Sequence, residues 1–357
     1  MKKNIAVLPG DGVGPEVIAE AIKVLNTIAN KYNHEFIFKY GLIGAVAMEE
    51  TGNPLPDRTL KICKKSDAIL FGAIGDPKYD NNPKAKIRPE QGLLNLRKSL
   101  NLFANIRPVK IYKELIDASP LKKEKVDGVD LIVIRELTGG IYFGKPRKRI
   151  DNGNTAIDTS IYTKEEIIRI AKLAFEVALK RKKKITSIDK ANVLETSRLW
   201  RETVTEVSKK YTSVSLAHMF VDNASMQLVK NPLQFDVILT ENMFGDILSD
   251  ESSVLVGSIG LLPSASIGKK YSLYEPIHGA FNKATGQNTA NPIAAILSAA
   301  MMFRISFRLE KEAIEIENAV RKAIMEGYRT KDISNNTDSH KILGTLEMGN
   351  KICEKLK

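Results

Sequence analysis

Cysteine is scarce in this sequence: Cys63 and Cys353 are the only two among 357 residues. They stand far apart and outside any metal or redox spacing, which argues against a disulfide framework and fits reduced thiols in a cytoplasm. Long apolar runs are also missing. None approaches the roughly 18 residues that a membrane span needs, and the opening MKKNIAVLPGDG carries too short an apolar stretch for a secretory leader. There are no internal repeats and no low-complexity linkers. The basic clusters Lys180–Lys184 and Lys145–Arg149 hold no aromatic residue on which a base could stack. The net charge of +12 therefore points to diffuse lysine enrichment, with a site for an acidic substrate and a phosphorylated cofactor, rather than to nucleic acid.

What remains is the profile of a soluble globular protein, with 43% hydrophobic residues and enough length for a large core and two lobes. Asn4–Leu8 reads as a buried strand that runs through PGDGVGPE into an amphipathic helix over Pro15–Asn30. The glycines there follow G-x-G-x-G, a weak Rossmann fingerprint, and serve a tight turn equally well. Further strands are expected at Ala68–Gly72, Asp130–Arg135, Ile185–Ile188, Ser215–Asp222 and Asp236–Thr240. Helices are expected over Gln91–Leu102, Lys164–Lys182, Pro292–Arg308 and Glu312–Glu326, with a surface helix at the end. Ile150–Tyr162 suits an extended arm or hairpin, and SIGLLPSASIG after Gly257 is turn-rich. The long glycine-containing loop YEPIHGAFNKATGQNTANP is a candidate nucleotide cradle. Alternating strands and helices indicate an α/β protein with largely parallel pairing.

The chemistry centres on Thr240–Glu251, TENMFGDILSDE. Asp246 and Asp250 are four residues apart in a helical segment, so both carboxylates leave one face. Such a pair suits Mg²⁺ or Mn²⁺, which take oxygen ligands from carboxylates, substrate and water. The plainer reading is an acidic helical turn favoured by the macrodipole. Arg97 on a helix, with Arg107 and Arg135 near strand ends, suggests a carboxylate-binding cluster. Lys190 and Asp222 also stand at or just beyond strand ends.

PGDGVGPE, RPEQGLLNLRKSLNLFANIRP, RELTGGIYFG, DKANVLE, FVDNASMQLV, ENMFGDILSDESS, GSIGLLPSAS and EPIHG…ANPIAAILSAAMMF together resemble the β-decarboxylating hydroxyacid dehydrogenases, the isocitrate/isopropylmalate dehydrogenase family. The motifs span nearly the whole length in the family's order. The resemblance implies an α/β, two-lobed fold with a mixed, largely parallel sheet, not a Rossmann fold, and a homodimer with shared active sites. A nucleotide-binding lobe would comprise 1–103 plus 257–357, and the inserted lobe 104–256 would carry the dimer interface and the metal-binding aspartates.

In that family the aspartates matching Asp246 and Asp250 bind Mg²⁺ or Mn²⁺ with a third, matching Asp222, from the partner subunit. Arginines matching Arg97, Arg107 and Arg135 grip two carboxylates, and residues matching Tyr142 and Lys190 transfer protons. From the residues alone, Tyr142 is equally a packed aromatic and Lys190 a surface ammonium. A lysine beside a cation and arginines is expected to lose its proton more readily, as a base requires.

Isocitrate enzymes place a serine and an asparagine before the first arginine; this chain has Glu90, Leu93 and Leu94 there, with Val193 facing them in the family's arrangement. An apolar wall favours an alkyl group by roughly 1–3 kcal/mol and leaves a carboxylate unpaired. The expectation is oxidative decarboxylation of (2R,3S)-3-isopropylmalate with NAD. The cofactor contacts implied are Val13, Ile74, Gly75, Glu90, Glu275, His278, Gly279, Ala280, Phe281, Lys283, Ala284 and Asn291. NAD-using relatives carry Ser-Ala-Pro-Asp after HG, where this chain has Ala280-Phe281-Asn282-Lys283. NADP-using relatives have a lysine at the Lys283 position but follow it with tyrosine, where this chain has Ala284. NAD, with no nucleic acid or membrane partner, is the expectation.

Overall fold

The computed structural model describes all residues except 81, 83, 84, 86 and 336–338. Its strands are β1 (Lys2–Gly10), β2 (Glu35–Tyr40), β3 (Ala68–Ala73), β4 (Leu102–Lys110), β5 (Asp130–Glu136) and β6 (Lys148–Ile150). They continue with β7 (Thr155–Ile157), β8 (Lys184–Asp189), β9 (Ser215–Phe220), β10 (Val237–Thr240), β11 (Pro263–Gly268) and β12 (Ser272–Pro276). The chain divides into two compact units. One holds Met1–Leu102, Tyr112–Ala118 and Val256–Lys357; the other holds Phe103–Ile111 and Ser119–Leu255.

In the first unit the strand order is β2-β1-β3-β12-β11, parallel except where β11 runs antiparallel to β12. Both β1 and β3 are continuous apolar runs, as strands covered on two faces must be, and Ile5, Ala6, Val7 and Leu8 are all fully buried. Helix Gly14–Tyr32 starts with proline in its first turn and buries Val17, Ile18, Ala21, Val24, Leu25 and Ile28 along one stripe. Each fully buried aliphatic side chain contributes about 1.5–3 kcal/mol. The helix stops at Asn33, whose left-handed backbone caps it.

The glycine turn after β1 has the role its weak fingerprint left open. Gly10 and Gly12 have φ of 71° and 58°, and a Cβ on Gly12 would lie 2.0 Å from the Ala280 carbonyl oxygen. Between them Asp11 is buried and accepts hydrogen bonds from the backbone N–H groups of Ala45 (2.9 Å), Val46 (3.0 Å) and Gly75 (2.9 Å). The turn packs closely against Ala280, Gly75 and the start of helix Ala45–Thr51, and it leads through helix Gly14–Tyr32 into β2, the parallel neighbour of β1.

In the second unit the order is β4-β5-β10-β8-β9, with β4 antiparallel to β5 and the remaining pairs parallel. Its core gathers Phe175, Trp200, Ile185, Val237 and Leu239 under helix Lys164–Leu179, which begins in a Thr163/Glu166 capping box. A two-stranded hairpin, β6–β7, supplies the extended arm. The architecture is the expected α/β one with a mixed, largely parallel sheet.

Several elements differ from expectation. Helix Glu90–Ser99 ends before Leu102 because Asn101 turns left-handed (φ 50°) and Leu102 already belongs to β4. Asp222 does not end a strand: β9 stops at Phe220, and Asp222 lies in the first turn of helix Val221–Lys230. The turn-rich SIGLLPSASIG contains β11, whose Pro263–Ser266 are wholly buried. The helix after Pro292 is regular only to Met302; a π turn over Phe303–Phe307 and a left-handed Arg308 end it. The last helix, Thr345–Leu356, is not merely surface, since Met348, Ile352, Cys353 and Leu356 are buried.

Candidate active site

In the second unit, β10 delivers the chain into helix Asn242–Val254. Glu241 caps that helix, accepting the Phe244 N–H at 2.7 Å. The four-residue spacing brings Asp246 and Asp250 to one face, where two buried arginines meet them. Arg135, near the end of β5, donates to Asp246 and sends two further hydrogen bonds to Asn242. Arg107, on β4, donates to Asp250 (3.1 Å), Ser249 (2.5 Å) and Asn105 (2.7 Å). Gly245 makes this approach possible, because a Cβ there would sit 2.7 Å from the Arg135 side chain. Burial raises the Asp250 carboxyl above its ordinary value, and the Arg107 guanidinium opposes that rise.

Tyr142 follows β5 in a short 3₁₀ turn and donates its hydroxyl to Asp246 at 2.9 Å. Burial, reinforced by the Asp246 charge, pushes the phenol up to about 12. The hydroxyl keeps its proton in this setting. A buried network supports the turn. The Tyr162 hydroxyl donates to Glu241 (3.0 Å) and accepts the Asn242 N–H (2.9 Å), while the Asn242 side-chain amide donates to the Gly139 carbonyl at 3.1 Å. Sequence reading did not single out Asn242, although it stands inside ENMFGD.

Lys190 and Asp222 form a separate pair in the same unit, with the ammonium donating to the carboxylate at 2.5 Å. That bond holds Asp222 below its ordinary value. The turn carrying Lys190 is fixed by buried Asp189, which takes two hydrogen bonds of 2.8 Å from Arg201 and one from the Ala191 N–H. Val193, just beyond, is 60% exposed. Among the described residues no three His, Cys, Asp or Glu side chains of one chain are grouped to hold a metal. Asp246 and Asp250 offer oxygen donors only, and their side chains are 36% and 58% exposed. A hard divalent cation fits that donor set, with further ligands required from outside the pair.

The first unit carries the expected cofactor residues. The Val13 N–H donates to the Ala280 carbonyl at 2.8 Å, and Gly75 is held by Asp11. Ile74 is half-buried, Ala280 and Ala284 are buried, and Lys283 is exposed. Gly279 has open space where a Cβ would be. Phe281 is exposed with a left-handed backbone, φ 43°. His278 is held neutral-leaning by burial, and its buried Nε2 has no hydrogen-bond partner among the described residues. An orphaned ring nitrogen beside an open glycine suits a bound nucleotide. Asn291 donates to Asp332 at 3.1 Å and accepts the Ile293 N–H, which brings Asp332 into this loop system.

Arg97 is buried and donates to Glu275 at 2.8 Å; Ser266 also donates to Glu275. The expected substrate arginine and an expected cofactor residue are thus one ion pair. Glu90 opens helix Glu90–Ser99, Leu93 packs into the unit's core and Leu94 is half-buried.

Comparison with known proteins bears on this arrangement. A family profile described as isocitrate/isopropylmalate dehydrogenase matches residues 4–352. A 3-isopropylmalate dehydrogenase of Heyndrickxia coagulans is 55% identical over 358 residues, covering 100% of this chain and 97% of that one. One of Priestia megaterium is 57% identical over 351 residues, covering 98% and 94%. The crystal structure of isocitrate dehydrogenase from Methylococcus capsulatus superposes with a TM-score of 0.88 at 32% identity, covering 99% of each chain. With the match running through every strand and helix that carries the acids, arginines and glycine loops above, this chain belongs to the isocitrate/isopropylmalate dehydrogenase family.

Proposed function

We propose that the chain catalyses the oxidative decarboxylation of (2R,3S)-3-isopropylmalate to 4-methyl-2-oxopentanoate and CO₂ with reduction of NAD, a step of leucine biosynthesis, in the cytoplasm. The carrying observation is identity of 55–57% over essentially the whole chain to 3-isopropylmalate dehydrogenases, with Arg107, Arg135, Tyr142, Asp246 and Asp250 gathered in one place.

Arg97, Arg107 and Arg135 bind the two carboxylates of the substrate, and each of these cations already faces an acid through a charge-assisted bond, Glu275, Asp250 and Asp246 respectively. Asp246 and Asp250 bind the divalent cation, Mg²⁺ or Mn²⁺, with Asp222. When bound, the cation supplies Lewis-acid polarisation of the C2 oxygen and the nicotinamide supplies the hydride acceptor. Lys190, in its neutral form or acting through a water, takes the C2 hydroxyl proton as hydride leaves C2. The β-carboxylate then departs as CO₂, and Tyr142 delivers a proton to C3.

Asp222 and Lys190 are bonded to each other. Whichever chain supplies one to a site therefore supplies both. A homodimer with shared sites follows from this reading. It is supported by Met226 and Val229 on helix Val221–Lys230, and by Ile247 and Val254 on helix Asn242–Val254, which are 48–59% exposed. A second copy of the same face covers such residues in an isologous interface.

The test is NADH formation from isopropylmalate, with and without a chelator, beside isocitrate and unsubstituted malate. Rapid turnover of isopropylmalate that stops on chelation supports the reading. Faster turnover of isocitrate or malate rejects it.

A further inference from the structure

In the first unit, helix Asp57–Lys64 lies against the edge strand β2. The helix buries Thr59 and Cys63 toward the core. Another stripe, Arg58, Lys61, Ile62 and Lys65, follows the i, i+3, i+4, i+7 spacing of one helical face. Together with Lys39 of β2 these residues line a hollow of about 310 Å³. Four of the five lining residues are cations and none is an acid.

Lysines on an edge strand and near a helix C-terminus have ordinary uses, blocking sheet extension and complementing the helix dipole. Neither use calls for convergence on a concavity. Nearby acids do not neutralise the cluster: Glu35 at the start of β2 pairs with Lys2 at 2.6 Å, and Asp67 pairs with Lys3 at 3.2 Å. Among the described residues none of Lys39, Arg58, Lys61 and Lys65 takes part in an ion pair. Like charges at these helical spacings repel, and a bound anion removes that repulsion. The volume is at the small end for a ligand site, and Ile62 is the only apolar side chain in the lining. The occupant is accordingly compact and densely charged. Arg58 offers a planar fork that matches phosphoryl oxygens, and the three lysines offer point charges around it.

We propose that this hollow is a second anion site that binds a condensed phosphate chain, either free or as the tail of a nucleoside triphosphate. The site is separate from every residue assigned to the dehydrogenase reaction, and the proposal does not depend on that reaction's substrate.

The test is calorimetric titration of the full chain with sodium tripolyphosphate, ATP and orthophosphate at low salt, with NAD saturating so that the nucleotide loop is occupied. The double variant R58E/K61E and the single variant Lys39→Ala are titrated alongside. Both changes are at exposed positions, and NADH-forming turnover reports that the variants are folded. The expected result is one saturable site for tripolyphosphate, weakened by added salt, weakened at least tenfold in R58E/K61E and more modestly in Lys39→Ala. Equal affinity for ATP and tripolyphosphate identifies the phosphate chain as the group recognised, and tighter ATP binding identifies a nucleotide. No saturable tripolyphosphate binding, binding unchanged in R58E/K61E, or orthophosphate binding as tight as tripolyphosphate overturns the proposal. So does a chain that ignores tripolyphosphate yet binds an RNA oligonucleotide through the same residues.

Discussion

Asn242 receives two hydrogen bonds from a single guanidinium: Arg135 Nε at 3.0 Å and Nη2 at 2.8 Å both end on its Oδ1. Its amide nitrogen is engaged as well, donating to the Gly139 carbonyl three residues before Tyr142. One buried side chain therefore aims the arginine proposed to hold a substrate carboxylate and anchors the turn proposed to carry the proton donor.

Asn242→Ala leaves a buried cation short of partners, a loss of about 1–3 kcal/mol. The expected consequence is a fall of roughly 5–150-fold in kcat/KM for isopropylmalate. The expected cofactor residues belong to the other unit, so KM for NAD stays within about twofold. Asn242→Asp keeps the acceptor for Arg135 but loses the donor to Gly139, and is expected to lower kcat more than it raises KM. Steady-state kinetics with each substrate varied in turn check this; equal losses toward both substrates would point to general unfolding instead.

Much of this centre was legible in the sequence because helical spacing is local. Asp246 and Asp250 share a face by arithmetic, and Arg135 ends an obvious apolar strand. The partners that aim those groups were not legible. Arg135 and Asn242 lie 107 positions apart, and Arg97 and Glu275 lie 178 apart, so only the tertiary fold pairs them. Helix Val221–Lys230 was hidden for another reason. It follows β9 without an intervening loop, so no glycine or proline marks where strand gives way to helix, and its exposed side mixes Asp222 and Lys230 with Met226 and Val229. In β11 the buried residues are proline, serine and alanine, which have little strand preference and read as a turn.

His218 gives a pH dependence of known sign. Burial, helped by the Arg201 guanidinium, holds its imidazole below the ordinary value, while Asp189 at 3.9 Å pulls the other way. A base whose folded value is depressed is neutral in the fold but protonates in the unfolded chain from about pH 6.5 downward. Its contribution to stability is present above that pH and is lost as pH falls from there through the folded value. His218→Gln, which keeps a polar partner for the Thr205 hydroxyl 2.9 Å away, is expected to flatten the decline in Tm between pH 7 and pH 5.5. Thermal melts of both proteins across that range decide it, and parallel declines would show that His218 is not the group responsible.

Lys283 is exposed in the candidate nucleotide loop, at the position where the family resemblance leads one to expect the aspartate of NAD-using members. A single flexible ammonium attracts a 2′-phosphate without the fork that would hold it firmly. The chain is expected to prefer NAD, with measurable NADP turnover. Lys283→Asp is expected to raise kcat/KM for NAD severalfold and to lower that for NADP by at least tenfold, through like-charge repulsion. The comparison of kcat/KM for both nucleotides in both proteins is the check, and a wild-type preference for NADP would reverse the assignment of the cofactor.

The Lys190–Asp222 pair makes the proposed sharing of sites directly testable. If a dimer builds each site from the Asp246 and Asp250 of one subunit and the Lys190 and Asp222 of the other, Lys190→Ala and Asp246→Asn damage opposite halves. Each variant alone is expected to lose nearly all activity, about 10²-fold or more, as removal of a general base or a metal ligand does. Mixed, unfolded together and refolded, they form hybrid dimers in which one site combines an intact Asp246 with an intact Lys190, while the other site carries both lesions. With random pairing half of the dimers are hybrids with one working site, so about a quarter of wild-type activity returns. Sites built within one chain cannot be rescued in this way, because every subunit then carries its own lesion. Mixtures that stay as inactive as their components would assign Lys190 and Asp246 to the same subunit's site.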